Sequence, residues 1–228
     1  MSRDVFDEYA RSYDEALANG LAVSGEGREF FARERVEFLA TCLDKHRLET
    51  RTVLDYGCGT GGTTPLLRER LKAQRALGID ASTESIAVAR ERHSTNSVRF
   101  LTTREYQPEG DCDLVYCNGI FHHILPSQRP LALSEIHRAL CPGGHFALWE
   151  NNPWNPGTRY VMSRISFDRD AITLTALEAH RMVRTAGFRV LRTDFLFIFP
   201  HALRWFRVIE PLVSRLPLGA QYQVLCQR

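Results

Sequence analysis

Hydrophobic positions along the middle of this chain fall into short apolar runs, separated by longer stretches in which apolar residues recur with helical spacing. The runs have the length of β-strands and are TVLDY, RALGID, VRFL, CDLVYC and HFALWE. The stretches between them have the length of helices and include TTPLLRERLKAQ, ASTESIAVARERH and SQRPLALSEIHRAL. This alternation predicts an α/β fold with an open, mostly parallel sheet and crossover helices on its faces.

The two ends of the chain have different patterns. FDEYARSYDEAL and REFFARERVEFLATCL predict a helical lid over residues 1–50, ahead of a core at residues 51–150. Residues 151–172 are rich in Pro, Asn and Arg, which predicts a structured loop or cap after the fifth strand. A helix ending at Gly187 and two further strands, FRVLRTDFLF and AQYQVLCQ, complete a predicted seven-stranded sheet. We assign residues 151–228 to the same domain as the core.

Composition limits the classes of function. The 228 residues are 44% hydrophobic and 25% charged, with a net charge of +2, as in an ordinary globular protein. This small, scattered charge gives no electrostatic reason to expect a nucleic-acid partner. The chain opens with a polar stretch and has no apolar run of ~18 residues, so we predict neither a secretory signal nor a membrane span. The six cysteines form no C-x-x-C pair, which favours a reducing, cytoplasmic compartment over a disulfide framework or a zinc site.

The first strand ends in a glycine-rich loop, VLDYGCGTGGTT at residues 53–64. Its glycines fit the G-x-G-x-x-G pattern of dinucleotide binders and also a looser D-x-G-x-G-x-G pattern that starts at Asp55. A carboxylate at Asp55 would repel a pyrophosphate, whereas it suits a ligand with an ammonium or sulfonium group, such as S-adenosylmethionine. A second interpretation, in which Asp55 only caps the next helix or ties the loop together, stays open.

Further segments follow the loop in a fixed order, and the whole set is VLDYGCGTGG, GIDAS, DCDLVYCNGIFHHI and LCPGGHFAL. Together they resemble the motif set of the class I S-adenosylmethionine-dependent methyltransferases, in particular the small-molecule type 11/12 enzymes. FDEYARSYDE is similar to the helical lid with which many of these enzymes begin. The resemblance implies a Rossmann-like fold and methyl transfer from S-adenosylmethionine to an oxygen, nitrogen or carbon atom of a small-molecule acceptor. S-adenosylhomocysteine would be the product.

The resemblance also implies positions for the amino-acid end and the ribose of the methyl donor. It places Gly57, Gly59 and Gly61 beside the methionyl part, and Asp55 near the amino group. The donor carries one carboxylate at this end, which we expect N–H groups of the loop to bind. Asp80, at the end of GID, is expected to accept hydrogen bonds from the ribose hydroxyls.

For the adenine end of the donor, the resemblance implies a second group of residues. Ala81 and Ser82 are expected along the adenine ring, and Asn118 is expected to close over the donor after the fourth strand. Related sequences often carry an acidic residue beside the adenine amino group, where this chain has Arg104. We therefore expect Glu105, or backbone groups, to contact the adenine instead.

Adjacent histidines, His122 and His123, follow the fourth strand at the edge of the sheet where the methyl group is expected. Histidine is the commonest base near neutral pH, and a hydroxyl or activated-carbon acceptor needs a base. Neighbouring side chains seldom face the same way, so we expect one of the pair to reach the acceptor, and favour His122 slightly. The alternative, that both histidines are structural, stays open. No third ligand stands at a metal-binding spacing, so we predict no metal site.

Aromatic side chains stabilise a sulfonium group by cation–π contact. The candidates for such a contact are Tyr9, Tyr13, Phe121 and Trp154. We assign Tyr13 and Phe121 to the donor site, and Tyr9 and Trp154 to the acceptor site. Tyr9 and Tyr13 have the spacing of one helical face, which is directed either at the donor or at the core.

The predicted cap is the expected source of acceptor selectivity, because it leaves the carboxyl end of the fifth strand. Arg159, Arg164 and Arg169 are candidates for binding a carboxylate or phosphate on the acceptor. Asn151 is a further candidate for acceptor binding. The alternatives are solvated arginines and, for Asn151, a loop-forming role.

Residues 197–216 are strongly apolar and carry interspersed arginines, which predicts an amphipathic helix with a wide apolar face. Several explanations of this face stay open. It packs on its own domain or on a second copy of the chain, it forms a wall for a hydrophobic acceptor, or it contacts a membrane surface.

Other functions compete with methyl transfer to a small molecule. One is a nicotinamide-dependent oxidoreductase, which Asp55 and the long helical region before the first strand disfavour. Another is a non-catalytic partner protein that binds S-adenosylmethionine, since the loop residues describe a donor site and not a working acceptor site.

Overall fold

The computed structural model describes residues 20–21, 24–45, 49–165, 168 and 171–228 of the chain. Its strands are β1 (Thr52–Tyr56), β2 (Arg75–Asp80), β3 (Val98–Thr102), β4 (Cys112–Asn118), β5 (Leu140–Asn151), β6 (Arg189–Leu196) and β7 (Gln221–Gln227). Its α-helices are α1 (Arg28–Lys45), α2 (Thr64–Arg70), α3 (Thr83–His93), α4 (Arg129–Ala139), α5 (Pro156–Arg164), α6 (Ala176–Thr185) and α7 (Glu210–Val213). A 3₁₀ helix at His201–Ile209 leads directly into α7. Tyr9, Tyr13 and Arg169, which the sequence singles out, lie outside the described residues.

The strands form one sheet in the order β3-β2-β1-β4-β5-β7-β6. β1 pairs in parallel with β2 and β4, and the parallel pairing continues outward to β3 and β5. β7 runs antiparallel to both of its neighbours, β5 and β6. The predicted seven-stranded, mostly parallel α/β sheet is confirmed, and its last two strands belong to the same sheet as the core.

Helices cover both faces of the sheet, which explains why its strands read as continuous apolar runs. On one face, Ile136 of α4 and Val183 of α6 share a buried cluster with strand residues. On the other face, Leu39 of α1 and Leu67 of α2 share a second cluster with Trp149. Burying a side chain of this kind stabilises the fold by about 1.5–3 kcal/mol. A ligand site is therefore expected at the ends of the strands and not on a face.

Local details differ from the sequence-based expectation in CPGG, residues 141–144, which is predicted as a turn. It is a bulge inside β5, since Cys112 of β4 pairs with Leu140 and Leu114 pairs with His145. Gly143, with a φ of +79°, interrupts the ladder without reversing the chain.

The helix predicted within residues 197–216 is also different, because it is divided into the 3₁₀ helix and the short α7. Pro211 lies in the first turn of α7 and has no N–H to donate to the preceding turn. Among the described helices, none has the length and apolarity needed to cross a membrane.

Candidate active site

Polar side chains collect at the carboxyl ends of the parallel strands. Asp55 lies near the end of β1, Asp80 ends β2, Asn118 ends β4, and Glu150 lies near the end of β5. Open α/β sheets bind their ligands at this edge. The fold thus brings together Asp55, Asp80 and Asn118, which the sequence assigned to one site, and adds Glu150.

Adjoining cavities open at this edge of the sheet. The loop cavity has a volume of about 110 Å³ and is bounded by residues that include Asp55, Gly57, Gly59 and Asp80. The cap cavity has a volume of about 410 Å³ and is bounded by residues that include Asn151, Thr158, Met162 and Phe199. Both cavities are bordered by Arg28, Arg35, Asn118, Gly119 and His123. A group held in one cavity therefore lies next to a group held in the other.

Glycines of the loop have two structural roles, of which one leaves space in the cavity and the other permits close packing. Gly59 has a φ of +53°, and a Cβ added there would meet no atom within 4 Å, so its missing side chain keeps the loop cavity open. Gly61 has a φ of +82°, but a Cβ there would lie 2.7 Å from Ala89 in α3. Gly61 therefore permits close packing of the loop on α3, in place of the predicted contact with the donor. Gly57 and Gly59 border the loop cavity, and their contact with the methionyl part of the donor stays a prediction.

Several amide groups of the glycine loop are already engaged within the protein. The N–H groups of Gly57 and Cys58 donate to the carbonyl oxygen of Ile79, at 2.8 and 2.9 Å. The N–H of Gly59 donates to Asp80 Oδ2 at 2.9 Å. The expectation that loop amides bind the donor's carboxylate is therefore wrong for these amides, which fix the loop to the end of β2 instead.

Asp55 ties the loop to the fold and also faces the loop cavity. Its Oδ2 accepts a hydrogen bond from Thr64 Oγ1 at 2.7 Å, which joins β1 to the first turn of α2. Burial raises the pKa of Asp55 to about 7, against the opposing effects of Thr64 and Arg35. An ammonium group placed beside this carboxylate would favour its ionised form. The interpretation in which Asp55 ties the loop together is therefore confirmed, and its contact with an ammonium group stays a prediction.

Asp80 holds the turn that follows β2. Its Oδ2 accepts from Gly59, as above, and its Oδ1 accepts from the N–H of Ser82 at 2.9 Å. Ser82 is the N-cap of α3, where its Oγ accepts from the N–H of Ser85 at 3.0 Å. Ser85 borders the loop cavity together with Asp80, while Ala81 is exposed. The adenine contacts of Ala81 and Ser82 stay predictions.

Arg35, in α1, is a site residue that the sequence analysis missed. Its guanidinium is buried and donates to Tyr116 Oη at 3.2 Å and to Gln221 Oε1 at 2.9 Å. In the described part of the chain these partners are neutral, and a buried cation with neutral partners favours an anionic ligand. The sequence did contain a signal, because Arg35 has the helical spacing of the buried Ala32 and Leu39 and so belongs to the inward face of α1.

Asn118, Glu105 and Phe121, which the sequence assigned to the methyl-donor site, differ in their surroundings. Asn118 Oδ1 is buried with no hydrogen-bond partner among the described residues, so it can accept a bond from a ligand. Glu105 Oε2 accepts from the N–H of Thr102 at 2.7 Å and from Arg90 at 2.8 Å, and so serves the turn after β3. The ring of Phe121 is fully buried in the core, which corrects its predicted contact with the donor. Its chain position next to the histidines is misleading, because it faces the opposite way.

His122 is buried between carboxylates of β5 and the cap. Its Nδ1 lies 2.5 Å from Glu150 Oε2, and its Nε2 lies 3.5 Å from Asp168 Oδ1. Burial lowers the pKa of His122, but the charges of Glu150 and Asp168 outweigh it and raise the pKa to about 10. The ring is therefore a cation at neutral pH and has no lone pair with which to accept a proton.

His123 has the properties that a base requires. It borders both cavities, and its Nε2 lies 3.2 Å from Asp168 Oδ1. Burial lowers the pKa of His123, Asp168 opposes this, and the positive charge of His122 lowers the pKa further. A neutral imidazole at pH 7 can accept a proton. The electrostatics thus favour His123 over His122, the reverse of the preference drawn from the sequence.

His122, His123 and Asp168 also have the side-chain types that hold metal ions. One ligand atom from each lies within 4.8 Å of the other two. The reason given for predicting no metal, that a third ligand is missing, is therefore wrong, because the fold brings Asp168 beside the histidines. A metal ligand must be deprotonated, and the proton on His122 opposes a cation here. The absence of a metal stays a prediction.

The cap lines its cavity with apolar side chains. Those that border the cavity from α5 and its C-terminal end are Val161, Met162 and Ile165. Arg159 and Arg164 are exposed on the other side of α5, and Trp154 is exposed as well, which corrects their predicted acceptor contacts. The apolar stripe of an amphipathic helix faces inward, so its arginines face solvent. Asn151 borders the cap cavity and accepts from Gln221 Nε2 at 3.0 Å, and its contact with the acceptor stays a prediction.

The chain is similar in sequence to a known domain family and to known enzymes. Residues 53–144 match the family described as "Methyltransferase domain". Trans-aconitate 2-methyltransferase of Escherichia coli O1:K1 / APEC is 31% identical over 141 residues, which are 61% of this chain and 55% of that protein. The enzyme of the same name from Azoarcus sp. (strain BH72) is 34% identical over 119 residues, 52% of this chain and 46% of that protein. The chain thus spans about half the length of the curated relatives it matches.

Solved structures share the fold at lower identity. The S-adenosylmethionine-dependent methyltransferase from Mesorhizobium loti aligns with a TM-score of 0.59 and 19% identity over 81% of this chain and 95% of that one. The TehB-like methyltransferase from Corynebacterium glutamicum aligns with a TM-score of 0.62 and 18% identity over 96% of this chain and 97% of that one. These findings give no support to a nicotinamide-dependent oxidoreductase. By its ordered motifs, its fold and its matched domain, the chain is similar to the class I S-adenosylmethionine-dependent methyltransferases.

Proposed function

We propose that this protein binds S-adenosylmethionine in the loop cavity and methylates a small molecule held in the cap cavity. The observation that carries the proposal is the shared border of the cavities at Asn118 and His123. Methyl transfer requires the donor's methyl group and the acceptor atom to be held in line and in contact. Adjoining cavities, one polar and narrow and one larger and apolar, meet this requirement.

The side chains around the loop cavity fit the charges of the donor. Asp55 suits the ammonium group of the methyl donor. Arg35 suits the donor's carboxylate, because loop amides such as that of Gly59 already donate within the protein. The buried Oδ1 of Asn118 suits an N–H or O–H of the donor. When bound, S-adenosylmethionine supplies an electrophilic methyl group on its sulfonium. The open space above Gly59 admits it close to the backbone.

The protein's part in the chemistry is to position the acceptor, to exclude water and to take up a proton. For a hydroxyl acceptor, a neutral His123 accepts the proton at the border between the cavities. His122 acts as a positioning residue, because its bonds to Glu150 and Asp168 fix the backbone that carries His123. The apolar cap side chains exclude water from the reacting atoms.

The lining of the cap cavity favours an acceptor with an apolar part. Val161, Met162 and Phe199 contribute apolar surface, and the exposed cap arginines do not reach the cavity. The curated relatives are named for trans-aconitate, which is therefore the first reference compound in an acceptor screen. The small net charge gives no support to a nucleic-acid acceptor.

We place this activity in the cytoplasm. All six cysteines are free thiols, and four of the five buried ones lie in strands or in α1, where they act as small apolar residues. Free thiols in this number favour a reducing compartment. Fractionation of cells that express the full chain tests the assignment, and recovery in an oxidising compartment would contradict it.

Titration calorimetry with S-adenosylhomocysteine and, separately, with NADH tests the donor. We expect binding of the first and none of the second, and binding of NADH alone would overturn the proposal. A screen with methyl-labelled S-adenosylmethionine then tests turnover. Donor binding without methylation of any acceptor would favour the non-catalytic alternative.

For an acceptor found in this way, His123→Asn should lower kcat by about 10²- to 10⁴-fold, the usual contribution of a positioned base. The affinity for S-adenosylhomocysteine should change little. His137→Asn is the matched control, because His137 is half-buried in α4 and packs on Phe188 away from both cavities. Full activity of His123→Asn would return His123 to a structural role.

A further inference from the structure

The 3₁₀ helix and α7 carry their large apolar side chains on the outside of the molecule. The apolar face, as we define it, consists of Trp205, Phe206, Val208, Ile209, Leu212 and Leu216, all of them exposed. The exposed fraction reaches 80% at Val208 and 83% at Leu212. Neither helix contains a buried residue. A contiguous exposed apolar patch marks an interaction site, because it is unfavourable in water.

Three polar residues of the same segment face the protein, and they are Arg207, Glu210 and Ser214. Arg207 donates to Glu26 Oε1 at 2.8 Å and to the carbonyl oxygen of Phe199 at 3.1 Å. Glu210 Oε1 accepts from the N–H of Phe199 at 3.0 Å. Ser214 Oγ donates to a carboxylate of β6 at 3.3 Å. These bonds hold the segment with Arg207, Glu210 and Ser214 directed inward.

Residue spacing shows that this orientation is a property of the whole segment. The inward residues are three and then four positions apart, and they are Arg207, Glu210 and Ser214. The outward residues have the same spacing, and they are Trp205, Val208 and Leu212. Spacings of three and four match the periods of a 3₁₀ helix followed by an α-helix. The segment is thus amphipathic in the reverse sense to a helix of a soluble protein, which turns its apolar stripe inward.

The charge around the apolar face is positive. Arg204 and Arg215 are exposed beside it. Glu210 is the sole carboxylate in residues 201–218, and it is turned toward backbone amides of Ile198 and Phe199. Aromatic and aliphatic side chains bordered by arginine are the combination found in helices that lie in the interface of anionic membranes.

We propose that the apolar face docks this protein on a bilayer surface that contains anionic lipids. Trp205 lies at the level of the headgroups, Val208 and Leu212 enter the acyl boundary, and the flanking arginines contact lipid phosphates. Phe199 and Arg207 border the cap cavity, so docking brings that cavity next to the lipid. Uptake of an amphiphilic acceptor from the bilayer would rest on the proposed function, whereas docking itself does not.

Flotation of the full chain with vesicles tests the docking. Vesicles of phosphatidylcholine alone are compared with vesicles of equal parts phosphatidylcholine and phosphatidylglycerol. We expect stronger binding to the second kind, and binding that weakens as salt is added. Val208→Ser combined with Leu212→Ser should lower the partition coefficient by at least about tenfold, since two apolar side chains lose their burial. Arg204→Gln should lower it about fivefold on the anionic vesicles alone.

A matched control and a spectroscopic readout sharpen the test. Leu131→Ser, at a 72% exposed position of α4, should leave binding unchanged. In a Trp154→Phe background, Trp149 is fully buried, so a blue shift of fluorescence on anionic vesicles reports Trp205. Far-UV circular dichroism and thermal unfolding should be unaltered in every variant, which shows without reference to donor binding that each is folded and separates this test from that of the proposed function.

The proposal is overturned by any of three results. The first is failure of the wild-type chain to bind either kind of vesicle, and the second is binding that the Val208→Ser and Leu212→Ser pair leaves intact. The third is a dimer, measured by light scattering after size exclusion, that the same pair of substitutions dissociates. The apolar face would then be an interface between copies of this chain.

Discussion

The loop cavity and the cap cavity meet at His123 but are built in different ways. The loop cavity is made chiefly from strand ends and turns within residues 53–144, the stretch that matches the methyltransferase domain. The cap cavity is assembled from α1, the cap and Phe197–Pro200, most of which lie outside that stretch. Fixed polar groups line the first cavity, whereas apolar side chains dominate the second. The proposed donor site thus belongs mainly to the shared domain, with Arg35 added from α1, and the proposed acceptor site belongs mainly to segments outside that domain.

Substitutions can test this difference between the two cavities. Changes around the loop cavity should alter donor binding whatever the acceptor is, and changes in the cap should alter acceptor use alone. His122 and Glu150 lie directly behind His123, at which the cavities meet, so a change in this pair should affect both. The largest effect is expected there.

Glu150→Gln should lower the free energy of unfolding by about 3–5 kcal/mol, because it leaves the buried His122 cation with a neutral amide at Nδ1 and with Asp168 alone, at 3.5 Å, as a carboxylate partner. Urea denaturation measures the loss. Glu37→Gln is the matched control, since Glu37 pairs with Arg70 at the surface and should cost no more than about 1 kcal/mol. A loss at Glu150 as small as that at Glu37 would mean that His122 is neutral in the folded protein.

The same pair predicts a dependence of stability on pH. The pKa of His122 is about 10 in the folded protein against an ordinary value of 6.5, so the folded state binds the proton more tightly. The stabilisation is therefore complete below about pH 6.5 and is lost as the pH rises toward 10. Glu150→Gln should flatten this part of the stability curve.

The next largest effect concerns Arg35. Arg35→Gln should weaken S-adenosylhomocysteine binding by about 10- to 100-fold, the value of a charge-assisted hydrogen bond. Calorimetry with 5′-methylthioadenosine, which lacks the amino-acid end, should show no comparable loss. Arg33→Gln, at an exposed position of the same helix, should bind both ligands normally. Equal loss for the two ligands would mean that Arg35 supports the fold of the cavity and does not hold the carboxylate.

A smaller effect follows from Asp55. Its pKa of about 7 means that the ionised fraction rises about tenfold between about pH 6 and pH 8, and the donor's ammonium group requires that form. The affinity for S-adenosylhomocysteine should rise by about the same factor over this range. Asp55→Asn should remove the rise, and 5′-methylthioadenosine should not show it. A flat profile in the wild type would place the ammonium group elsewhere.

The sequence predicted the fold and the donor side because both depend on short-range patterns. Strand and helix periodicity, a carboxylate before the glycines and a second carboxylate at the next strand end are each contained in a few consecutive residues. Their relative positions then follow from the handedness and order of βαβ units. Asp55, Asp80 and Asn118 therefore meet where the sequence analysis expected them.

What the sequence analysis missed depends on contacts between distant segments. Arg35 reaches the site from α1. Asp168 reaches it from the cap, which has no periodic pattern, so neither the neighbours of Asp168 nor its spacing indicates a site residue. The pKa difference between His122 and His123 arises from carboxylates that only the fold brings near. In residues 197–216 the sequence predicted an amphipathic helix, but which face is covered depends on the partners of Arg207 and Glu210.

The smallest effects on activity are expected from substitutions in the cap. Arg159→Gln and Arg164→Gln should each change kcat/KM for an identified acceptor by less than about twofold, because both side chains are exposed and Arg164 bonds only to Tyr160 Oη in the described structure. Val161→Ala, one turn away and facing the cavity, should raise KM by several-fold, as the loss of methyl groups from an apolar pocket does. Steady-state kinetics at saturating donor measures both. A tenfold loss at either arginine would show that the cap rearranges when acceptor binds. In that case binding of the acceptor forms its own site. The loop cavity would then be rigid, and the cap cavity would take its final shape only when the acceptor binds.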